Sequence, residues 1–378
     1  MNTYPADVIV DLAAIRSNIG TLRQAASDAQ VMAVVKADAY GHGLLPVARA
    51  ALQGGASWLG VAHLTDALTL RRAGITEPVL AWLYTPGAPL EEAIGAQVDL
   101  SVSAPWALQE VAAAARSTGR SARIHLKIDT GMGRGGAFPD VWEDLVTAAM
   151  RAQAEETVQV VGVWSHLARA DEVGHPFIAT QIEAFTHAVA VAERAGARLE
   201  VRHLANSAGT LTAPQTHFDL VRPGVATYGL TPAPDYRSSD EFGLVPAMRM
   251  EAEVMLVKRA HAGQGISYNH TYTTSGPSTL AVIPLGYADG IPRHASNTAP
   301  VQIAGRTACI AGRVCMDQFT VDLGPDGPVP QVGERAVLFG SGAEGEPTAQ
   351  DWAEAAGTIN YEIVARIAAR LPRTYRNA

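Results

Sequence analysis

The segment VMAVVKADAYGHG, residues 31–43, is the first of a series of short apolar runs that end in polar or turn-forming residues. Its apolar half, VMAVVK, is typical of a buried β-strand and ends on Lys36. Its second half, ADAYGHG, contains turn-forming glycines. We therefore expect a strand that is followed by a tight turn, with Lys36 at the junction.

Similar apolar runs alternate with helical stretches as far as about residue 230, a pattern that predicts βα units and a parallel sheet. Eight candidate strands are present, which is the number in a (β/α)8 barrel. An open doubly wound sheet is less favoured because no dinucleotide fingerprint follows the first strand. The candidate strands are VMAVVK from Val31, WLGVA from Trp58, VLAWLY from Val79, VDLSVS from Val98, RIHLKID from Arg123, VVGVWSHL from Val160, VRHLA from Val201 and DLVRPG from Asp219.

The pattern of the sequence changes near residue 242. From there, apolar segments separated by Gly and Pro predict a mainly antiparallel β domain, followed by helical sequence near the C-terminus. We therefore predict two domains, a barrel over residues 1–241 and a β-rich domain over residues 242–378. The stretch TPAPDYRSSDEFG, from Thr231, is the best candidate for a linker.

Composition excludes several classes of function. The 378 residues carry a formal charge of −8 without a basic cluster, which argues against nucleic-acid binding. The chain shows neither a secretory signal nor an apolar run long enough to span a membrane, so we expect a cytoplasmic protein that does not bind membranes. Two cysteines, Cys309 and Cys315, lack the spacing of a metal or redox pair, and no metal site is predicted.

Polar residues recur after the predicted strands, at the end where barrels of this type place their catalytic groups. A lysine at this place can supply the desolvated amine that Schiff-base chemistry requires, or extend its head into solvent. A lone histidine there can equally be a core residue whose hydrogen bonds are satisfied. The usual phosphate site lies after strands seven and eight. The residues concerned are Lys36, Arg134, His166, Asn206, Ser207, Arg222 and Gly224.

Nine segments, in order along nearly the whole chain, resemble signature segments of alanine racemases. They are VVKADAYGHG, KIDTGMGR, HLARAD, ANSAG, VRPGVATYGL, SYNHTY, PLGYADG, GRVCMDQ and TINYEI. The resemblance implies a (β/α)8 barrel with a C-terminal β domain, pyridoxal 5'-phosphate as cofactor, and a homodimer with shared active sites. It also implies interconversion of L-alanine and D-alanine, supplying D-alanine for peptidoglycan.

The resemblance assigns two catalytic bases. Lys36 matches the lysine that forms a Schiff base with the cofactor and also moves a proton at Cα. Tyr268, in SYNHTY, matches the opposing base, which the family supplies from the partner subunit and flanks with His166. A phenol with a pKa near 10 is a poor base at neutral pH, so His166 and Arg222 are the implied relay.

Arg222 matches the residue that faces the pyridine nitrogen of the cofactor. An arginine can donate a hydrogen bond there but cannot accept one, so the ring nitrogen stays unprotonated and the carbanion less delocalised. This favours racemisation over transamination.

The remaining assignments also follow the resemblance. Lys127 matches a lysine that is carbamylated in many members, and it can equally be an ordinary barrel lysine. Arg169 stands near His166 where small residues are frequent in the family. Tyr40, Ser207, Gly224, Val225 and Tyr361 match phosphate ligands, Arg134 and Met316 match groups that bind the substrate carboxylate, and Tyr287 and Asp317 match residues of the substrate entrance.

Two other functions stay open on sequence alone. A basic amino-acid decarboxylase shares the two-domain plan but sets an acidic residue where Arg222 stands. A non-catalytic cofactor-binding protein resembles the barrel alone and has no need of Tyr268 or Met316. Turnover of serine, and a biosynthetic or a catabolic role, are likewise undecided by the sequence.

Overall fold

A computed structural model of the protein describes residues 4–378. The strands are β1 (Ala6–Asp11), β2 (Gln30–Val34), β3 (Trp58–His63), β4 (Val79–Leu83), β5 (Asp99–Val102), β6 (Ala122–Lys127), β7 (Val158–Trp164), β8 (Val201–His203), β9 (Leu220–Val221), β10 (Met248–Glu253), β11 (Leu256–Ala260), β12 (Gly265–Ile266), β13 (Tyr272–Thr273), β14 (Ser278–Ile283), β15 (Pro300–Ile303), β16 (Arg306–Cys309), β17 (Phe319–Asp322), β18 (Arg335–Phe339) and β19 (Arg373–Arg376). The helical segments are α1 (Leu12–Ala26), α2 (Lys36–Tyr40), α3 (Leu44–Gln53), α4 (Leu64–Arg72), α5 (Leu90–Gly95), α6 (Pro105–Thr118), α7 (Pro139–Ala154), α8 (Phe177–Arg194), α9 (Ser207–Thr212), α10 (Ala349–Ala356) and α11 (Asn360–Ala365).

Strands β2 to β9 form one parallel sheet in the order β8-β7-β6-β5-β4-β3-β2-β9. Two backbone hydrogen bonds link the ends of this sheet, from Asp219 N to Arg202 O at 3.0 Å and from Arg222 N to Ala205 O at 2.9 Å. The sheet is therefore a nearly closed barrel. All eight predicted strands are confirmed, as is the predicted barrel.

The later part of the chain forms a six-stranded sheet in the order β16-β15-β18-β10-β1-β19 and a three-stranded sheet in the order β11-β14-β17. Strands β12 and β13 form a separate antiparallel pair. Every pairing in these sheets is antiparallel except that of β1 with β19. The predicted antiparallel β domain is confirmed, including helices α10 and α11 near the C-terminus.

Strand β1 differs from the predicted division, which assigned residues 1–241 to the barrel. It pairs with β10 and β19, so its residues belong to the six-stranded sheet. Val8 and Val10 are fully buried there, and Asp11 caps α1 by accepting the amide hydrogen of Ala13 at 2.8 Å. From Ala6 onwards the chain thus runs through the β-rich part and enters the barrel through α1.

Segment α2, directly after β2, is left-handed. Ala37, Asp38, Ala39 and Tyr40 have φ between 51° and 54°, a conformation that costs about 1 to 2 kcal/mol for each residue with a Cβ. Surrounding bonds hold the turn: Ala39 N donates to Val35 O at 3.0 Å, and the Asp38 carboxylate accepts from Leu44 N at 2.8 Å. The turn places Lys36 and Tyr40 on one side of the barrel mouth.

No helix within residues 4–378 combines the length and the apolar character that crossing a membrane requires.

Candidate active site

Four cationic side chains lie at the mouth of the barrel, at the ends of β2, β6 and β9 and in the loop after β6. Lys127 Nζ lies 4.2 Å from the centroid of the Trp164 ring, and the guanidinium carbon of Arg222 lies 4.8 Å from the same ring. Burial and the charge of Arg134 lower the pKa of Lys36. Within residues 4–378, no carboxylate forms a salt bridge with Lys36, Lys127, Arg134 or Arg222. The site therefore carries a positive charge that favours an anionic ligand.

Lys127 has the most strongly shifted pKa of these lysines. Burial and the charges of Arg222 and Arg134 together lower its pKa to about 8, against the opposing effect of Asp129. An appreciable fraction of the Lys127 amine is therefore neutral near physiological pH.

Arg222 is 4% exposed and is held by neutral acceptors. Its Nη2 donates to Ser165 O at 2.6 Å and to Leu204 O at 3.2 Å, and its Nη1 lies 3.2 Å from Nδ1 of His203. Nη2 of Arg222 also lies 3.5 Å from Nδ1 of His166. Burial lowers the pKa of Arg222, but a guanidinium remains protonated at neutral pH.

His166 is neutral. Burial holds its pKa well below the ordinary value of 6.5, and the charges of Arg222, Arg134, Lys127 and Lys36 lower it further. Because Nδ1 faces a donor on Arg222, Nε2 carries the ring proton. Arg169 is not among these charges; it forms a salt bridge with Glu172 at 2.7 Å, on the exposed side of the loop.

The loop after β6 is organised by one carboxylate. Asp129 accepts the backbone amides of Gly131, Met132, Gly133 and Arg134 at distances from 2.8 to 3.1 Å. These bonds lower the pKa of Asp129 despite its burial. They fix the backbone of Arg134 at the rim, while its guanidinium has no hydrogen-bond or salt-bridge partner within residues 4–378.

A small cradle lies beside the cationic group, between α2, α9 and the turn after β9. Ser207 Oγ accepts the amide hydrogen of Gly224 at 2.8 Å. A Cβ atom at Gly224 would overlap the hydroxyl of Tyr40, so the backbone approaches that hydroxyl closely. The rings of Tyr40 and Tyr361 are 6.2 Å apart, and burial raises the pKa of both phenols. Both phenols therefore stay protonated and can donate hydrogen bonds, and Val225 is buried in the same turn.

The predicted residues of the β-rich part form a second, exposed group. Tyr268, Tyr287 and Met316 are 67%, 41% and 55% exposed. Tyr287 N donates to Cys315 O and Ala288 N to Met316 O, both at 3.0 Å, and Ser267 Oγ, beside Tyr268 in sequence, lies 3.4 Å from Cys315 Sγ, so these three segments are adjacent. Asp317 forms a salt bridge with Arg370 at 2.9 Å. Within residues 4–378, no hydrogen bond, salt bridge or ring contact joins Tyr268, Tyr287, Met316 or Asp317 to the cationic group.

Two family models of known proteins cover most of the chain. Residues 10–232 match the N-terminal domain of alanine racemase, and residues 247–375 match its C-terminal domain. The chain belongs to the alanine racemase family.

Individual alanine racemases are similar over their full length. The enzyme of Beutenbergia cavernae is 62% identical over 99% of this chain and 98% of its own, and that of Salinispora arenicola is 58% identical over 98% of both. The crystal structure of alanine racemase from Streptomyces lavendulae superposes with a TM-score of 0.98 at 53% identity, covering 100% of this chain and 98% of that one. The structure of alanine racemase from Streptomyces coelicolor superposes with a TM-score of 0.97 at 55% identity, covering 99% of this chain and 98% of that one.

Three buried polar residues beneath the cationic group escaped the sequence analysis. Asp99, His125 and His203 lie inside the barrel on β5, β6 and β8, and His203 contacts Arg222 directly. Each stands within a predicted strand and is buried. A polar residue at an inward position of such a strand is the signal that could have identified them.

Proposed function

We propose that the protein interconverts L-alanine and D-alanine with pyridoxal 5'-phosphate as cofactor and so supplies D-alanine for peptidoglycan. The observation that carries the proposal is the cationic group at the barrel mouth beside the cradle of hydroxyls and amides, in a chain of the alanine racemase family. An anionic cofactor and an anionic substrate both complement this charge.

The residues present fit the cofactor. The cradle offers the hydroxyls of Tyr40, Ser207 and Tyr361 and the backbone of Gly224 and Val225, which are suitable ligands for a phosphate. Gly224 is needed because a side chain there would fill the space beside Tyr40. Lys36 supplies the amine for covalent attachment. Bound pyridoxal phosphate contributes an aldehyde that condenses with amino groups and a ring that withdraws electrons from the substrate Cα.

Two bases move the proton at Cα. Lys36 Nζ, whose pKa is lowered, takes or returns the proton on one face. Tyr268 Oη does so on the other face, after losing its own proton to solvent or a neighbour. His166 and Arg222 favour that loss because the guanidinium stabilises a nearby phenolate and the neutral imidazole carries a hydrogen on Nε2 that can bond to it.

Arg222 directs the reaction towards racemisation. Its guanidinium is held by neutral acceptors and stays protonated, so it can only donate to the cofactor ring nitrogen. With Arg222 as a donor to its ring nitrogen, the bound cofactor would withdraw fewer electrons from the substrate Cα. Arg222 would thereby favour return of the proton to Cα over its transfer to the cofactor carbon.

Four further residues act on the substrate. The free guanidinium of Arg134 and the backbone amide of Met316 bind its carboxylate. Tyr287 and Asp317, both exposed, line the entrance. Lys127, with a pKa of about 8, is suited to carbamylation, and a carbamate there would give Arg134 the anionic partner it lacks.

Two chains share each active site in this proposal. Racemisation needs a base on each face of Cα, yet within residues 4–378 no hydrogen bond, salt bridge or ring contact joins the group containing Tyr268 to the cationic group of its own barrel. A homodimer that pairs each barrel with the β domain of its partner brings the two groups together. We further propose a cytoplasmic location, where the free thiols Cys309 and Cys315 stay reduced.

The function is tested by incubating the purified protein with L-alanine and pyridoxal phosphate in deuterated water. We expect exchange at Cα together with formation of D-alanine. In a parallel incubation with lysine, ornithine or arginine, release of carbon dioxide would indicate a decarboxylase instead, and no product in either incubation would indicate a cofactor-binding protein. The same assay with both enantiomers of serine measures how strictly the site selects alanine, since a single hydroxyl is worth only about 1 to 3 kcal/mol.

A further inference from the structure

A continuous row of polar side chains crosses the barrel interior and ends at Arg222. Asp99 Oδ2 lies 3.2 Å from His125 Nε2, His125 Nδ1 lies 2.9 Å from His203 Nε2, and His203 Nδ1 lies 3.2 Å from Arg222 Nη1. None of the four residues is more than 4% exposed. We call Asp99, His125, His203 and Arg222 the interior network.

The donors of the interior network can be assigned. A guanidinium only donates, so His203 Nδ1 must accept from Arg222. Burial and the charge of Arg222 hold the pKa of His203 well below 6.5, so His203 is neutral and carries its proton on Nε2. That proton is donated to His125 Nδ1, and His125 in turn donates from Nε2 to Asp99. Every hydrogen bond therefore runs from Arg222 towards Asp99.

Asp99 fixes this direction because it accepts as a carboxylate. Burial alone would raise its pKa, but the hydrogen bonds from His125 and Arg123 and the charge of Arg123 outweigh burial and leave the pKa below its ordinary value. Arg123 Nε donates to Asp99 Oδ1 at 3.0 Å, and the two residues line an open cleft of 460 Å³ at the amino-terminal end of the barrel strands. An ionised Asp99 obliges His125 Nε2 to carry a proton.

Packing holds the imidazole rings of His125 and His203 in these positions. His203 is stacked on Trp164 at 5.6 Å between ring centroids, with an interplanar angle of 1°. His125 meets the edge of Trp58 at 5.7 Å, and a Cβ atom at Gly162 would overlap its ring. The rings are therefore held in place, and a change of tautomer cannot be absorbed by a small rotation.

We propose that Asp99 and His125 are positioning residues for the reaction: they fix the tautomer of His203 and thereby the position of the Arg222 guanidinium. This inference rests on the proposed function. In the opposite tautomer, His203 Nδ1–H would point at Arg222 Nη1–H, and the guanidinium would leave its place beside His166 and the cofactor ring nitrogen.

The test combines a change at the far end of the network with a matched control. In Asp99→Asn, the amide oxygen faces the donor of Arg123 and the amide NH₂ faces His125 Nε2, which reverses the direction of the hydrogen bonds. In Glu200→Gln, a carboxylate that bonds the same Arg123 at 2.8 Å is also changed to an amide, but it does not touch the network. The holoenzymes are compared by ¹⁵N NMR of labelled histidines, assigned with His125→Gln and His203→Gln, and by steady-state kinetics.

In the wild type and in Glu200→Gln, we expect His203 to be unprotonated at Nδ1. In Asp99→Asn we expect that nitrogen to become protonated and kcat to fall about tenfold or more, with KM changed less than about twofold. If ¹⁵N NMR shows that His203 is protonated at Nδ1 in the wild type, the proposal is overturned, even if Asp99→Asn does not fold. An unchanged tautomer or an unchanged kcat in the folded variant would also overturn it. A wild-type protein with the expected tautomer but without racemase activity would instead refute the proposed function.

Discussion

The mouth of the barrel and the exposed face of the β-rich part contain equally specific motifs, but their environments differ. At the barrel mouth, Arg222 is buried and hydrogen-bonded, and the pKa values of Lys36, Lys127 and His166 are all lowered. On the β-rich face, Tyr268 is 67% exposed. One group is positioned by its own chain, and the other is presented outwards.

This difference shows how the proposed work is divided. A buried group of cations is costly unless a ligand compensates it, so the barrel mouth is prepared for an anionic cofactor. An exposed tyrosine beside an exposed methionine gains little from its own chain and is available to a second one. Changes at each of the two groups test this difference, and a mixed dimer tests whether the groups combine in one active site.

The largest effect is expected at Lys36. The chain has three lysines, Lys36, Lys127 and Lys258, so reduction of the holoenzyme with borohydride has few alternative targets. We expect the pyridoxyl group on the peptide that contains Lys36, and a loss of racemisation of at least about a thousandfold in Lys36→Ala. The exposed Lys258→Ala is the control and should keep full activity. Labelling of Lys127 or Lys258 in the wild type would contradict the assignment.

A smaller loss, of about 100- to 10,000-fold in racemisation, is expected for Tyr268→Phe because one of two bases is removed. Exchange of the Cα hydrogen in deuterated water should persist for the enantiomer whose Cα hydrogen faces Lys36, because that base is intact. Tyr272→Phe is the matched control, since that hydroxyl is occupied by Asp322 at 2.8 Å. The assignment of Tyr268 fails if its variant racemises alanine as fast as the control.

The smallest effect is on stability, at Lys127. Its folded pKa of about 8 lies below the ordinary 10.5, so the unfolded chain binds the proton more tightly and wild-type stability rises between about pH 8 and pH 10.5. In the apoprotein without bicarbonate, Lys127→Met should therefore be more stable at pH 7, by at most about 3 kcal/mol. The advantage should disappear by pH 10.5.

Chemical denaturation of the two apoproteins across this pH range measures the difference. Lys258→Met, at an exposed position, should change stability by less than about 0.5 kcal/mol. A Lys127→Met variant that is less stable than the wild type at pH 7 would show that burial of the charge is not unfavourable.

The strands of the barrel could be predicted from sequence because each is a separate apolar run with a polar end. Strand β1 could not, because its partners β10 and β19 lie more than 200 residues away and its own residues carry no sign of that pairing. The left-handed turn at Ala37–Tyr40 was equally hidden, since no glycine occupies those positions and the surrounding bonds enforce it.

In the candidate site, too, residues whose role depends on contacts distant in sequence could not be predicted. Lys36, His166 and Arg222 stand at strand ends, where sequence position alone is informative. Asp99 and His125 stand inside strands, and their importance depends on cross-barrel contacts that join β5, β6 and β8. Only the family resemblance identifies Tyr268 and implies that it serves the partner's barrel, because nothing in its own surrounding sequence indicates either role.

The central proposal, that each active site is shared between two chains, is tested most directly by complementation. We expect Lys36→Ala and Tyr268→Phe each to be nearly inactive as homodimers, whereas in a shared-site dimer the mixed pair would contain one site with an intact Lys36 and an intact Tyr268 from the other chain. Unfolding and refolding the two variants together should restore about one quarter of wild-type activity, because about half of the dimers are mixed and each has one good site of two. Verified mixed dimers that recover no activity would show that both bases come from the same chain, and the shared-site account would be wrong.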